Sequence, residues 1–222
     1  MAEGPCPCFC EALHFHEKPT LASRKLVADQ AILAAVRHHQ PRRVLDLGCG
    51  EGWLARCLAQ PGRKVLGVDA IPALIAAARQ RGRAAFAVCS DEEIAAGALA
   101  PHGRFDAVVC NFSLLGEKSV EKRLRAVPAL RSHRGRLFVQ TLPPRVACGR
   151  EPDCDGWRPG SWQGCGPGFT RPAPWYFRTV RSWLNLFTRC GLRLVECREP
   201  LHPHTLAPAA ILFICAAPKP AA

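Results

Sequence analysis

The stretch that most constrains this chain is Arg43-Val44-Leu45-Asp46-Leu47-Gly48-Cys49-Gly50-Glu51-Gly52, an apolar run passing without a spacer into a turn with three glycines. A short apolar run bounded by turn residues reads as a buried strand, and a helical pattern begins at residue 52. Strand, glycine turn and helix in that order open a βαβ unit. Glycines let the backbone turn tightly and come close to a ligand, and a helix start offers unpaired N–H groups. A small polar ligand belongs at such a turn.

The alternation continues downstream. Strand-like runs at 64–68, 84–89, 105–110, 136–141, 192–198 and 209–216 are separated by helical patterns at 52–60, 72–80, 119–131 and 177–190. A further helix is expected from Ser23, a plausible N-cap, to His39, with Pro41 beyond its end. This order predicts an α/β fold: a doubly wound, seven-stranded, mainly parallel sheet with helices on both faces. At 222 residues, one unit is expected over 23–216, after an irregular arm at 1–22 and before a flexible tail at 217–222. Residues 142–176 break the pattern with seven prolines, six glycines and three tryptophans, and are expected to form a cap insertion.

Two features separate the glycine turn from a dinucleotide site. The G-x-G-x-x-G fingerprint needs a third glycine where this chain has Trp53, and Asp46 lies inside the strand just before the turn. A carboxylate is unwelcome beside a pyrophosphate but suits a ligand with an amino group and a sulfonium. S-adenosylmethionine is therefore favoured over a nicotinamide cofactor. The next strand, Val65-Leu66-Gly67-Val68, ends in Asp69, where ligands sit beyond the strand ends and a ribose can donate to a carboxylate. Capping of the helix after Pro72 is the structural alternative for Asp69.

With VLDLGCGEG, VLGVDA and FDAVVCNFSLL in place, residues 24–216 resemble the class I methyltransferase family. The downstream segments DGWRPGSWQG and PWYFRTVRSWLNLF resemble a bacterial subgroup of small class I methyltransferases. The resemblance implies that Asp46, Gly48, Cys49, Gly50 and Gly52 line the methionine portion of the cofactor, that Asp69 holds the ribose and that Ile71 packs on adenine. It also implies an adenine contact near Ser90 and Asp91, and places Asn111, Phe112 and Leu114 beside the transferable methyl group. Families that methylate adenine amines or protein amides carry Pro-Pro-Tyr or a variant after that Asn or Asp; here the sequence is Asn111-Phe112-Ser113, which favours small-molecule acceptors. Trp157, Trp162, Trp175, Tyr176 and Arg178 fall in the part that builds the acceptor pocket.

A sulfonium methyl is already activated, so catalysis requires an aligned acceptor and exclusion of water, with a base only for acceptors that lose a proton. His202, following the sixth strand, is the first candidate base, with His14 and His16 of the arm next. Arg178 could orient an acceptor carboxylate by a bidentate contact. Alternating Cys6, Cys8 and Cys10 do not have zinc-ligand spacing, and no metal is expected. Cys49 and Cys110 are small neighbours of the cofactor rather than nucleophiles.

The net charge of +12 suits an anionic partner, but the basic residues are spread from Arg24 to Arg198. The one concentration, at Lys118, Lys122, Arg123, Arg125, Arg131 and Arg134, reads equally as a solvated helix face. The 13 cysteines come without a secretory leader pattern or a long apolar run, so reduced thiols, a cytoplasmic location and no membrane span are expected. The leading expectation is transfer of a methyl group to a small molecule. An RNA methyltransferase using the distributed positive charge and a non-catalytic cofactor-binding protein are the alternatives.

Overall fold

A computed structural model describes residues 27–147, 152–160 and 173–218. The arm with Cys6, Cys8, Cys10, His14 and His16, the expected cap Ser23, Trp162 and the last four residues lie outside the described residues.

Side-chain alternation along each central strand builds a three-layer αβα arrangement. In β1 (Arg43–Leu47), Leu45 and Leu47 pack with one set of helices and Val44 with the other. The same division holds for Val108 and Cys110 against Ala107 and Val109 in β4 (Phe105–Asn111), and for Leu137 and Val139 against Phe138 in β5 (Arg131–Thr141). Such strands are apolar on both faces, as a sheet covered twice requires. One cover consists of α1 (Asp29–His38), α2 (Trp53–Leu58) and α3 (Pro72–Gln80). The other includes α4 (Asp91–Ala95), α5 (Lys118–Leu130) and, after the short α6 (Pro144–Ala147), α7 (Val180–Arg189).

The sheet runs β3 (Ala85–Val88), β2 (Lys64–Asp69), β1, β4, β5, β9 (Ile211–Ala216), β8 (Arg193–Arg198). The pairs among β1 to β5 are parallel, and β9 lies antiparallel between β5 and β8. The expected doubly wound, seven-stranded, mainly parallel sheet is thus the observed one. Its order reverses between β1 and β4, which opens a crevice beyond the carboxyl ends of those strands, where α/β sheets bind ligands.

The differences from expectation are local. α4 was not expected; it is short, but Ser90 and Glu93 close a capping box at its start, with Ser90 Oγ accepting from Glu93 N at 3.2 Å and Glu93 Oε2 accepting from Ser90 N at 2.7 Å. β5 starts at Arg131 rather than residue 136, with a register shift against β4 between Phe105 and Ala107. The described part of the 142–176 insert contains a two-stranded antiparallel ribbon, β6 (Gly156–Arg158) with β7 (Trp175–Phe177). Asp155 ties this ribbon to α7: its Oδ1 accepts from Thr179 N at 2.9 Å, its Oδ2 from Ser182 Oγ, and Thr179 Oγ1 caps the helix by accepting from Ser182 N. No described helix is long and apolar enough to cross a membrane. The eight described cysteines are all free thiols.

Candidate active site

The glycine turn leaves β1 and is clamped at once to the neighbouring strand, because Gly48 N and Cys49 N both donate to Val68 O, at 2.8 and 3.0 Å. Gly48 and Gly52 sit at φ +74° and +75°, in the left-handed region that favours glycine. Space adds a second requirement. A Cβ at Gly48 would lie 2.5 Å from Ser113 Cβ, and one at Gly52 would lie 2.4 Å from the Phe86 ring. Ser113 is itself fixed by donating through Oγ to Leu47 O at 2.7 Å, so the segments leaving β1 and β4 press directly on each other.

Asp69, at the end of β2, is buried and ties the loops leaving β1 and β2 together. Its Oδ2 accepts from Gly50 N and its Oδ1 from Ile71 N, each at 3.0 Å. The Ile71 bond resembles the capping alternative, yet the N-cap of α3 is Ile71 itself, with no side-chain cap bond. A carboxylate offers about four acceptor directions, so capacity for two ligand hydroxyls remains. Burial raises the Asp69 carboxyl above its usual range, opposed by the Gly50 and Ile71 N–H groups and by Arg123.

Asp46 differs in that its Oδ2 is buried without a hydrogen-bond partner among the described residues. Burial, then the nearby Asp69 charge, pushes its carboxyl up to about 7, with an Ala55 N–H working the other way. Cys49 is also raised, by burial and then by Asp46 and Asp69, and remains a thiol. An orphaned carboxylate oxygen beside a second carboxylate fits a ligand carrying an ammonium or sulfonium centre. The residues present therefore suit S-adenosylmethionine, whose chemical contribution is an activated methyl group.

Arg123 was expected on a solvated helix face but reaches into the site. Its Nε donates to Asp91 Oδ1 at 2.5 Å and its Nη1 to Ser113 O at 3.0 Å. Burial works against its charge, but the charge and hydrogen bond of Asp91, joined by other nearby groups including Asp69, together hold the guanidinium above its usual range. The signal was present in the sequence: Val120, Leu124 and Val127 mark the buried stripe of α5, and position 123 falls on it. Asp91 is consequently engaged by Arg123, and Ser90 by the capping box.

At the end of β4, Asn111 Oδ1 accepts from Gln140 Nε2 at 2.9 Å; the same amide donates to Ala28 O at 3.0 Å. Phe112 N donates to Gln140 O at 2.7 Å, and Phe112 lies at φ +51°, packed with Ala28 and Ala210. Gln140, a polar residue inside an apolar strand, is thus a site-positioning residue missed by the sequence reading. Leu114 is buried in the core beneath the crevice.

The acceptor-side residues divide. Tyr176 N donates to Leu115 O at 2.7 Å, which hangs β7 on the segment leaving β4. Trp157 faces Tyr176 across the ribbon with rings 5.6 Å apart, whereas Trp175 pairs with Phe177. Adjacent strand residues point to opposite faces, so Trp175 does not share a face with Trp157 and Tyr176. Arg178 is buried; its Nη1 donates to Gly116 O and its Nη2 to Glu117 O, both at 2.8 Å, and it stacks on Tyr176 and Trp183. Those donors are engaged by backbone, and burial lowers the guanidinium below its usual range. His202 follows β8, the outer strand, three strand spacings or roughly 14 Å from β4. Its Nδ1 accepts from His204 N at 3.3 Å and Thr205 N at 3.4 Å within its own turn. The structure does not bring His202 into contact with the glycine turn. The same loop does return to the site at Ala210, beside Phe112.

Comparison with known proteins agrees with this fold. A family model described as a methyltransferase domain matches residues 21–197. Demethylmenaquinone methyltransferase of Thermus thermophilus is 37% identical over 107 residues, covering 47% of this chain and 49% of that protein. Ubiquinone biosynthesis O-methyltransferase of Xanthomonas oryzae pv. oryzae is 36% identical over 105 residues, covering 45% and 43%. The matched segment thus spans about half the length of these relatives or less. Among solved structures, the 1,6-didemethyltoxoflavin-N1-methyltransferase of Burkholderia thailandensis, with S-adenosylhomocysteine bound, superposes with a TM-score of 0.65 at 18% identity, over 99% of this chain and 93% of that one. The family match covers most of the chain, and the seven-stranded sheet order agrees with it: the protein belongs to the methyltransferase domain family, with the class I fold.

Proposed function

We propose that the protein transfers the sulfonium methyl of S-adenosylmethionine to a small, ring-containing acceptor bound between Asn111 and the aromatic ribbon. The observation that carries this reading is the bond from Tyr176 N to Leu115 O, which joins the Trp157 and Tyr176 side of the ribbon to the segment leaving Asn111. An aromatic surface beside the methyl donor suits a flat apolar ring, which it holds through stacking and edge contacts. The relatives named for demethylmenaquinone and for ubiquinone O-methylation support such an acceptor.

Within this reading Asp46, Gly48, Cys49, Gly50 and Gly52 receive the methionine portion, Asp69 the ribose, and Ile71 with the Ser90–Asp91 corner the adenine. Asn111 and Phe112 flank the methyl group. Arg178 orients no acceptor carboxylate directly; it holds the Gly116 and Glu117 carbonyls and so positions the ribbon. His202 offers only Nε2 to an acceptor proton, and its contribution to rate is small. Trp175 supports the ribbon from its other face.

An acceptor screen with methyl-labelled S-adenosylmethionine, read by mass spectrometry, tests the proposal. Labelled product from hydroxylated or amino-substituted ring compounds, lost in Tyr176→Ala with cofactor affinity retained, is the expected result. Label appearing only in RNA, or in no acceptor, would overturn it.

A further inference from the structure

The fold collects at one end the positive charge that the sequence scatters. The segments at the amino edge of the parallel strands and of β8, residues 39–43, 59–64, 82–85, 101–106, 131–136 and 190–193, hold ten Lys or Arg and a single carboxylate, Asp106. That carboxylate is spent internally, accepting from Arg42 N, Arg43 N and Ser132 Oγ, each at 3.0 Å. Register aligns the strand starts that carry the cations: Arg43 pairs with Lys64, Leu66 with Ala85, two residues after Arg83, and Phe105 with Arg131. Arg42, Lys64, Arg83, Arg104, Arg134 and Arg193 are exposed. Beside them opens a cleft of about 480 Å³ lined by Arg37, Gln40, Arg42, Gln60 and Arg63.

The stretch that reads as a basic cluster in the sequence divides: Arg131 and Arg134 belong to the amino edge, whereas three of its helical cations are paired with carboxylates. Lys122 pairs with Glu92, Arg123 with Asp91 and Arg125 with Glu121. The inner arginines of the opposite edge donate to backbone carbonyls, Arg43 to Arg104 O, Arg63 to Pro41 O and Arg131 to His133 O, which fixes the loops without cancelling charge. Burial and then Arg37 lower the Arg63 guanidinium; burial and then Arg136 and Arg104 lower that of Arg131, the mark of like charges crowded together.

We propose that this face binds the sugar–phosphate backbone of a nucleic acid, at a site separate from the methyl-transfer crevice. Seven strands at about 4.8 Å make an edge of roughly 29 Å, which matches about eight base steps at 3.4 Å each. A lipid surface is less well matched, because the exposed large apolar residues, Val88, Leu142, Trp157, Val195, Leu201 and Leu206, lie outside these loops. The carboxylates Glu51, Asp69, Asp91, Glu117 and Asp155 all gather at the crevice end, so a polyanion is directed away from the transferable methyl group.

Fluorescence anisotropy on the full chain, with a labelled single-stranded RNA of about 20 nucleotides and a matched DNA duplex from about 25 to about 200 mM salt, tests the proposal. Six exposed cations predict a log–log salt slope of about −4 to −5, unchanged by saturating S-adenosylhomocysteine. Combined Arg42→Glu, Lys64→Glu and Arg104→Glu is expected to weaken binding more than about tenfold and flatten the slope by about three, while Arg181→Glu on α7 has no effect. Lys64→Ala with Arg134→Ala, two exposed side chains, provides a gentler version that should flatten the slope by about two. S-adenosylhomocysteine affinity, measured in parallel, should be retained in every variant. Salt-independent binding, full binding by both multiple variants, or capture by phosphatidylglycerol vesicles with no nucleic-acid binding would overturn the proposal.

Discussion

The two sides of the crevice are built by different means. On the cofactor side, the loops leaving β1 and β2 are held by the sheet itself: Gly48 and Cys49 donate to Val68, and Asp69 accepts from Gly50 and Ile71. These partners lie within about twenty residues of one another, and the positive φ and close contacts at Gly48 and Gly52 call for glycine. On the acceptor side, the ribbon is attached by contacts that bridge long sequence distances, Tyr176 to Leu115, Arg178 to Gly116 and Glu117, and Asp155 to the start of α7. The first arrangement is fixed by the sheet itself; the second rests on a few contacts between distant segments.

The largest effect should come from the rigid side. Asp69→Ala removes a buried acceptor of two backbone N–H groups and, in the proposed binding mode, of the cofactor ribose. Affinity for S-adenosylhomocysteine is expected to fall by more than about 100-fold by calorimetry, from two charged hydrogen bonds worth about 1.5–3 kcal/mol each. Loss of less than about threefold would mean that Asp69 serves only the turn.

Arg178→Leu should separate the two sides. It strands the Gly116 and Glu117 carbonyls, at a cost of about 1–3 kcal/mol each, and should lower Tm by roughly 4–24 °C. The acceptor KM should rise while cofactor affinity stays within about threefold. A pure stability loss with an unchanged acceptor KM would remove the ribbon from the acceptor site.

The smallest effect is expected at His202. Substitution by Gln should change kcat by less than about tenfold, whereas a working general base is worth about 100-fold or more. A larger loss, with a shifted pH–rate profile, would restore His202 as the proton acceptor and require the outer turn to close over the crevice.

The same contrast explains what the sequence disclosed. The glycine turn, Asp46 and Asp69 are legible because their requirements are local: positive φ at Gly48 and Gly52, and a carboxylate at a strand end. The sheet was legible because apolar runs of strand length alternate with helical periods. Arg123 escaped because a charged residue on an apolar stripe was assigned to the solvated face, although its spacing from Val120 and Val127 placed it inside. Gln140 and the backbone partners of Arg178 are set by tertiary contacts that no local pattern reports. The basic face is the extreme case, since cations far apart in the chain become neighbours only once parallel strands align their starts.

Asp46 makes the donor side testable through pH. Its carboxyl is pushed up to about 7 from an ordinary value of 3.8, so its favourable contribution to stability is complete below about pH 4 and is lost as pH rises through about 7. Ligand-free Asp46→Asn should therefore gain stability relative to the parent at pH 8, by an amount on the order of 3–4 kcal/mol at most.

Binding is the more direct readout of the central claim, that a paired-carboxylate crevice receives a cationic cofactor. An ammonium seated near Asp46 favours its ionised form, so the bound proton must leave before the ligand enters. Calorimetric titration of S-adenosylhomocysteine from about pH 5.5 to about 8.5 should show affinity rising through pH 7, by at most about tenfold per unit below it, with proton release. Asp46→Asn should bind more weakly and lose that dependence. An affinity that is flat across this range in the parent protein, or equal in the two proteins at pH 8, would contradict the account.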